Sequence, residues 1–223
     1  MTTLFVTASG TDVGKTFVTL RLIDELTVAG CRVRALKPVA SGFDEENPSA
    51  GDTGALLRAQ GLEPGTANLD AVSPWRFAAP LSPDMAAARE HRTVPFAALV
   101  DFCRTPHDAD VTVIEGIGGV MVPLDDTHTV LDWVVALDAP TLLVVGSYLG
   151  TLSHSLTAAT ALRTRGARVA GVIVSESAEQ PAPAAETAMV LARFLTPTTV
   201  QVLPRHANRG ATPLLPLLAP YLR

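Results

Sequence analysis

The sequence predicts an α/β fold in three layers, with helices on both faces of a mostly parallel sheet of about seven strands. Three observations carry that prediction. Short apolar runs of the kind buried on both faces of a sheet alternate along the chain with stretches of helical periodicity. At 223 residues, 48% apolar and 17% charged, the chain can bury a large core and is too apolar to be disordered as a whole. The first apolar run, Leu4–Val6, enters a small-residue loop that ends in Gly14-Lys15-Thr16 and opens an apolar helix.

Taken in order, the elements follow from these patterns. Leu4–Val6 is the first strand and Phe17–Ala29 the helix behind the loop. Val33–Lys37 is the second short apolar run, and Asp52–Gln60 the next helical pattern. Asp70–Ser73 is read as a third strand, followed by helices at Pro83–Glu90 and Val94–Phe102. Val111–Glu115, Thr141–Val145 and Val169–Val174 are the most apolar strands. Helices Val130–Leu137, Leu152–Arg165 and Ala184–Phe194 alternate with them, and Val200–Leu203 is a last strand. Phe43–Gly51 is an acidic loop and Glu179–Ala185 a Pro/Ala-rich surface connection. Neither is long enough to act as a linker between domains, so one domain is expected over residues 1–223. No internal repeat is present.

Composition excludes several classes of function. A net charge of −5 leaves no basic stripe for nucleic acid, although a local pair of lysines suffices for a nucleotide. Cys31 and Cys103 lie far apart with no C-x-x-C, as expected of a reduced cytoplasmic protein. The first strand is expected within four residues of Met1, so no signal peptide is expected. Asp132 and Asp138 interrupt the most apolar stretch, so no membrane span is expected. The five histidines show no metal spacing.

The chemistry collects at the carboxyl ends of the strands, where open α/β sheets bind ligands. In the first loop, consecutive N–H groups and a helix N-terminus converge on phosphate oxygens. Lys15 adds positive charge and the Thr16 hydroxyl can ligate Mg²⁺. The standard G-x-x-x-x-G-K-[ST] motif would place glycine at position 9; this chain has Ser9, then Gly10. Glu115 ends an apolar strand, where a carboxylate can hold Mg²⁺. Gly116, Gly118 and Gly119 let the backbone approach a ligand. Asp52 opens a helix as an N-cap or as a third metal ligand. Lys37 would neutralise charge in phosphoryl transfer, and Thr11 and Ser41 are hydroxyls for substrate or for turn geometry.

These residues together resemble the dethiobiotin synthetase family, within the P-loop NTPase superfamily. The match rests on Gly14-Lys15-Thr16, K37-P-V-A-S41-G, S73-P-W-R-F-A-A-P80 with S82-P83, E115-G-I-G-G119-V-M-V-P, D132-W-V and G146-S-Y-L-G150-T-L-S-H154, in one order from about Thr3 to Pro204. The resemblance implies a P-loop NTPase-like fold and a cyclo-ligase of biotin biosynthesis. In that family 7,8-diaminononanoate and CO₂ form a carbamate, ATP converts it to a carbamic-phosphoric anhydride, and the second amine closes the ring of dethiobiotin.

Carried over by position, Asp12, Val13, Gly14, Lys15, Thr16 and Phe17 bind the phosphates, and Thr16, Asp52 and Glu115 hold Mg²⁺. Lys15, Lys37 and Thr11 serve catalysis. Thr11, Lys37, Ser41, Gly118 and Gly119 contact the diamine or its carbamate. Glu115, Gly116, Ile117 and Gly118, with Ser175, Pro204, Arg205 and His206, complete the ATP site. Family members are homodimers, so Tyr148, Leu149, Gly150 and Ser153 are expected to reach the partner's site. No membrane or nucleic acid is expected as a partner.

The chain departs from the family pattern in three places. Ala8 stands where the family loop has glycine, and Gly10 is expected to take over its special backbone conformation. Asp12 replaces a longer glutamate. Ser175 replaces an asparagine that pairs with adenine, which leaves a lone hydroxyl to read the base. The alternative reading is an ATP-driven partitioning or positioning switch of the same fold. Such proteins carry a second lysine five residues before Lys15, where this chain has Gly10.

Overall fold

The computed structural model describes residues 2–206 and 212–222. In chain order the elements are β1 (Thr2–Ala8), α1 (Lys15–Val28), β2 (Val33–Leu36), β3 (Val39–Ser41), α2 (Gly51–Ala59), α3 (Thr66–Val72), β4 (Trp75–Phe77), α4 (Pro83–Arg89), α5 (Phe96–Arg104), β5 (Val111–Glu115), α6 (Val130–Leu137), β6 (Thr141–Val145), α7 (Thr151–Thr164), β7 (Val169–Ser175), α8 (Ala184–Leu195), β8 (Val200–Leu203) and α9 (Leu215–Leu218). Six strands form one sheet in the order β2-β5-β1-β6-β7-β8, and every neighbouring pair in it is parallel. β3 and β4 form a separate two-stranded parallel sheet.

Period-two alternation splits the strand residues between two apolar layers. Leu4, Val6 and Ala8 of β1 pack with Val18, Leu22 and Leu26 of α1 and with Leu214 and Leu218. Phe5 points the other way, into the layer holding Leu99 of α5, Trp133 of α6 and Leu191 of α8. β6 divides likewise, Leu142 and Val144 to the first layer, Leu143 and Val145 to the second. The Phe5 and Trp133 rings meet edge to face at 4.9 Å and 89°, a geometry worth about 0.5–1.5 kcal/mol beyond the buried area. Helix α6 is nucleated by a capping box in which Thr129 and Asp132 exchange hydrogen bonds, which gives Asp132 a structural role.

This topology positions the site. β5 and β6 flank β1 on opposite sides, so a crevice opens at the carboxyl end of β1 where the strand order reverses. Because the strands are parallel, the loop after β1, Lys37 after β2, Glu115 at the end of β5 and Ser175 at the end of β7 share that edge. No described helix is long and apolar enough to cross a membrane.

Two sequence expectations are corrected. Asp70–Ser73 is not a strand: Asp70 to Val72 close α3, and the main sheet has six strands rather than about seven. Leu69 and Val72, one turn apart, pack on Leu57, Phe43 and Leu62, and that helical spacing outweighs the local β-like composition. Gly10 does not take the special backbone conformation; Asp12 (φ 56°) and Gly14 (φ 92°) are the left-handed residues of the loop. Aspartate tolerates that region better than most side chains.

Candidate active site

The loop after β1 is shaped by its left-handed residues. Gly14 caps α1, and a Cβ there would stand 2.3 Å from the Ser175 hydroxyl, so the position requires glycine for both conformation and space. The first turn of α1 then directs its N–H groups, positive end of the helix dipole included, into the crevice. Lys15 follows, 7% exposed, and donates to the Gly118 carbonyl at 2.9 Å. Gly118 can present that carbonyl because it adopts φ 57°, where a Cβ would fall 2.5 Å from the Val122 side chain. Burial, then the neighbouring Lys37 charge, pull the Lys15 ammonium down to about 8, against the opposing pull of Glu115, Asp52 and Asp12.

Beneath the loop lies a cluster of hydroxyl, carboxylate and ammonium groups. Thr16 Oγ1 is 2.7 Å from Asp52 Oδ1 and 2.9 Å from Glu115 Oε1, and its single proton serves one carboxylate at a time. Lys37, 3% exposed, donates to Glu115 Oε1 at 2.6 Å and to the Gly116 carbonyl at 2.9 Å, and pairs with Asp52 Oδ2 at 3.0 Å. Burial by itself pulls the Lys37 pKa down; Glu115 and Asp52 outweigh it and hold the ammonium above its ordinary value. Asp52 is the mirror case: burial raises it, while Lys37, the Thr16 hydroxyl and Lys15 together bring it below the usual carboxylate range.

Asp52 is not the helix cap. Ala50 is the N-cap of α2, and the Asp52 carboxylate, in the first turn, turns to Thr16 and Lys37.

These groups fit a divalent cation that arrives with a nucleotide. Glu115 Oε2 is buried with no hydrogen-bond partner, a costly state for a carboxylate oxygen. Thr16, Asp52 and Glu115 offer only hard oxygen donors, as Mg²⁺ prefers, and Mg²⁺ takes its remaining ligands from water and phosphate. Among the described residues no group of three or more His, Cys, Asp and Glu forms a metal site, in keeping with so few protein ligands.

A cavity of about 1170 Å³ opens over this cluster. Of the residues singled out from sequence, Thr11, Asp12, Val13, Gly14, Lys15, Thr16, Phe17, Lys37, Ser41, Asp52, Ile117, Gly118, Ser175, Arg205 and His206 line it. Glu115 lies behind the wall, fully buried. Gly116 is pressed on the Phe5 ring and Gly119 on the Ser9 backbone, so both serve close packing of the loop. Pro204 also stays out of the lining. Tyr148, Leu149 and Gly150 in the β6–α7 turn and Ser153 in the first turn of α7 lie apart from the cavity: Leu149 is 84% exposed, and the Tyr148 hydroxyl meets His154 Nδ1 at 2.8 Å.

Several groups at the site were marked in the sequence only as motif positions, or not at all, and were given no role in it. The Pro80–Pro83 turn and Val122 give the cavity an apolar flank. At the far end Ser147 and Ser177 exchange hydrogen bonds between backbone and hydroxyl at 3.0 and 2.9 Å. Glu176 accepts from Gln180 at 2.9 Å and from the Arg205 N–H at 3.0 Å. Ser73, fully buried, donates to the Lys37 carbonyl and accepts from Thr53 at 3.2 Å. No periodicity marks such contacts, since they join segments distant in sequence.

Known proteins match this chain along most of its length. The family described as an AAA domain covers residues 2–211. An ATP-dependent dethiobiotin synthetase of Acidiphilium cryptum is 46% identical over 203 residues, 89% of this chain and 90% of that one. The enzyme of the same description from Methylobacterium nodulans is 48% identical over 200 residues, 86% and 89% of the two chains. That from Caulobacter vibrioides is 43% identical over 221 residues, 98% and 99% of the two. Among solved structures, the signal recognition particle receptor FtsY from Elizabethkingia anophelis aligns over 100% of this chain and 65% of its own, with TM-score 0.53 and 13% identity, a likeness of fold alone.

Proposed function

The chain belongs to the family of ATP-dependent dethiobiotin synthetases, and from that membership we propose how its cavity works. It is an ATP-dependent ligase that joins 7,8-diaminononanoate and CO₂ into dethiobiotin, releasing ADP and phosphate. One amine of the diamine adds to CO₂ and loses a proton, giving a carbamate. A carbamate oxygen then attacks the γ-phosphorus and ADP leaves. The second amine attacks the carbonyl carbon of the mixed anhydride, and phosphate departs as the ring closes.

The observation that carries this reading is the position of Lys37, 2.6 Å from Glu115 and 3.0 Å from Asp52 at the foot of the phosphate loop. An ammonium fixed there faces both the carbamate oxygen and the transferring phosphoryl group, whose charge grows in the transition state. Lys15 exchanges the Gly118 carbonyl for phosphate oxygens, and the N–H groups of Asp12 to Phe17 cradle the rest. Thr11, Ser41 and Gly118 hold the diamine or its carbamate, and Gly119 packs the loop behind them. Thr16, Asp52 and Glu115 would hold Mg²⁺, which supplies charge neutralisation for the phosphates. Ile117 lies along the nucleotide, backed by Glu115 and Gly116, with Ser175, Arg205 and His206 at the nucleoside and Pro204 leading into that segment. Tyr148, Leu149, Gly150 and Ser153 serve the neighbouring site in a two-fold homodimer.

ATP turnover measured with and without the diamine plus bicarbonate tests the proposal. A ligase cleaves ATP to ADP and phosphate only when both are present; a switch protein of the same fold would ignore them.

A further inference from the structure

We propose that Ser73 is a positioning residue for Lys37, a role that rests on the function proposed above for that lysine. Lys37 lies one residue beyond β2, where the main-sheet ladder has ended. Its backbone runs instead beside the segment that follows α3. The Lys37 N–H donates to the Val72 carbonyl at 3.0 Å, and the Trp75 N–H donates to the Pro38 carbonyl at 3.1 Å. Between these two contacts the neighbouring segment carries Pro74, which has no N–H to offer. The Lys37 carbonyl would therefore face a gap in the pairing. The Ser73 hydroxyl fills that gap by donating to it.

The hydroxyl is in turn fixed from its other side. Thr53 Oγ1 donates to Ser73 Oγ at 3.2 Å, and Thr53 follows Asp52 in α2. Lys37 is thus tied to the first turn of α2 at both ends. Its ammonium pairs with Asp52, and its backbone carbonyl is linked through Ser73 to Thr53. Ser73 and Thr53 are 0% and 2% exposed, so bulk water does not stand in for either hydroxyl. Two anchors fix both the root and the tip of a four-carbon side chain that otherwise samples many rotamers. With the root released, the ammonium keeps its carboxylates but loses its set distance from the phosphoryl group.

Steady-state kinetics of the Ser73→Ala variant test this. Misplacement of a positioned group by about 1 Å costs up to roughly 10²-fold in rate, so kcat should fall by about 10- to 100-fold. KM for ATP should stay within about twofold, because the loop that binds the phosphates is untouched. Ser73→Thr, which retains the hydroxyl, should recover most of kcat. The chain has only two lysines, Lys15 and Lys37. ¹³C,¹⁵N-lysine labelling therefore resolves their side-chain signals, and in Ser73→Ala the Lys37 signal should move while that of Lys15 holds. A folded Ser73→Ala enzyme with kcat within about twofold of wild type overturns the proposal. So does a loss of kcat that Ser73→Thr fails to restore. If Ser73→Ala does not fold, the isosteric Thr53→Val carries the same kinetic comparison. Lys37→Ala separates the two levels: retained turnover there defeats the proposed role of Lys37 itself, whereas lost turnover beside an intact Ser73→Ala defeats only the positioning role.

Discussion

The two ends of the cavity are built on different physics. At the phosphate end the charged groups are buried and paired: Lys37 lies within 3.0 Å of both carboxylates, and Lys15 is 2.9 Å from a carbonyl. At the far end the walls are Ser175, Ser177, Ala178 and Glu176, the last two at least partly open to solvent, with Arg205 and His206 beside them. A charge in a dry site acts strongly, and one in water is screened. If the nucleotide binds as proposed, its attraction is concentrated where every nucleoside triphosphate is the same, and little of it where they differ. The lesson is that affinity and selectivity can be set by separate regions of one cavity, each open to alteration without the other.

The sharpest test of that division is Lys37→Ala. Loss of one preorganised charge at the phosphate end should lower kcat by about 10²–10³-fold while KM for ATP changes little. Near wild-type turnover with the diamine would break the comparison at once. Glu115→Gln comes next, since it removes the carboxylate whose second oxygen stands unpartnered. Disturbing even the outer partners of a metal ligand costs about 10–100-fold in metal affinity, so the Mg²⁺ concentration for half-maximal rate should rise at least that far. An unchanged Mg²⁺ titration would remove Glu115 from the metal site.

A third change lies outside both ends. Leu149→Asp places a charge on the exposed β6–α7 turn and should raise the dimer dissociation constant at least about tenfold by sedimentation, raising KM for the diamine but not for ATP. A wild-type chain that sediments as a monomer at micromolar concentration would count against this turn as an interface. The smallest effect belongs to the nucleoside end. CTP or GTP should support turnover within about tenfold of ATP in kcat/KM, a difference of about 1.4 kcal/mol. A thousandfold preference for ATP would show that backbone groups near Pro204 read the base after all. Ser175→Asn should sharpen the preference, provided the amide turns away from Gly14, which the Ser175 side chain now touches.

How legible the sequence was differs between these regions in the same way. The sheet was readable because β5, β6 and β7 are apolar runs buried on both faces, and the strand–loop–helix at Gly14-Lys15-Thr16 fixes a direction for every parallel neighbour. That direction alone brings Lys15, Thr16, Lys37, Asp52 and Glu115 to one edge. The shortest elements were not readable. The end of Thr66–Val72 looks locally like a strand and is held helical by the packing of Leu69 and Val72, and Leu215–Leu218 is a one-turn helix set against β7 and α1. The left-handed Asp12 and the hydroxyl link through Ser73 are tertiary facts. The first depends on what surrounds the loop, the second on a proline in the neighbouring segment that takes a donor away.

The placement of the lysines has a consequence for covalent chemistry. Apart from Lys15 and Lys37, the side chains counted as basic in this chain are arginines, and both lysines lie at the candidate active site, 7% and 3% exposed. Lysine acylation therefore has no silent position here. An acetyl group on either ε-amine removes a cation from the phosphate end and adds bulk to a packed cluster. In a mass-spectrometric survey of the protein, lysine acylation stoichiometry would read directly as the fraction of molecules out of service.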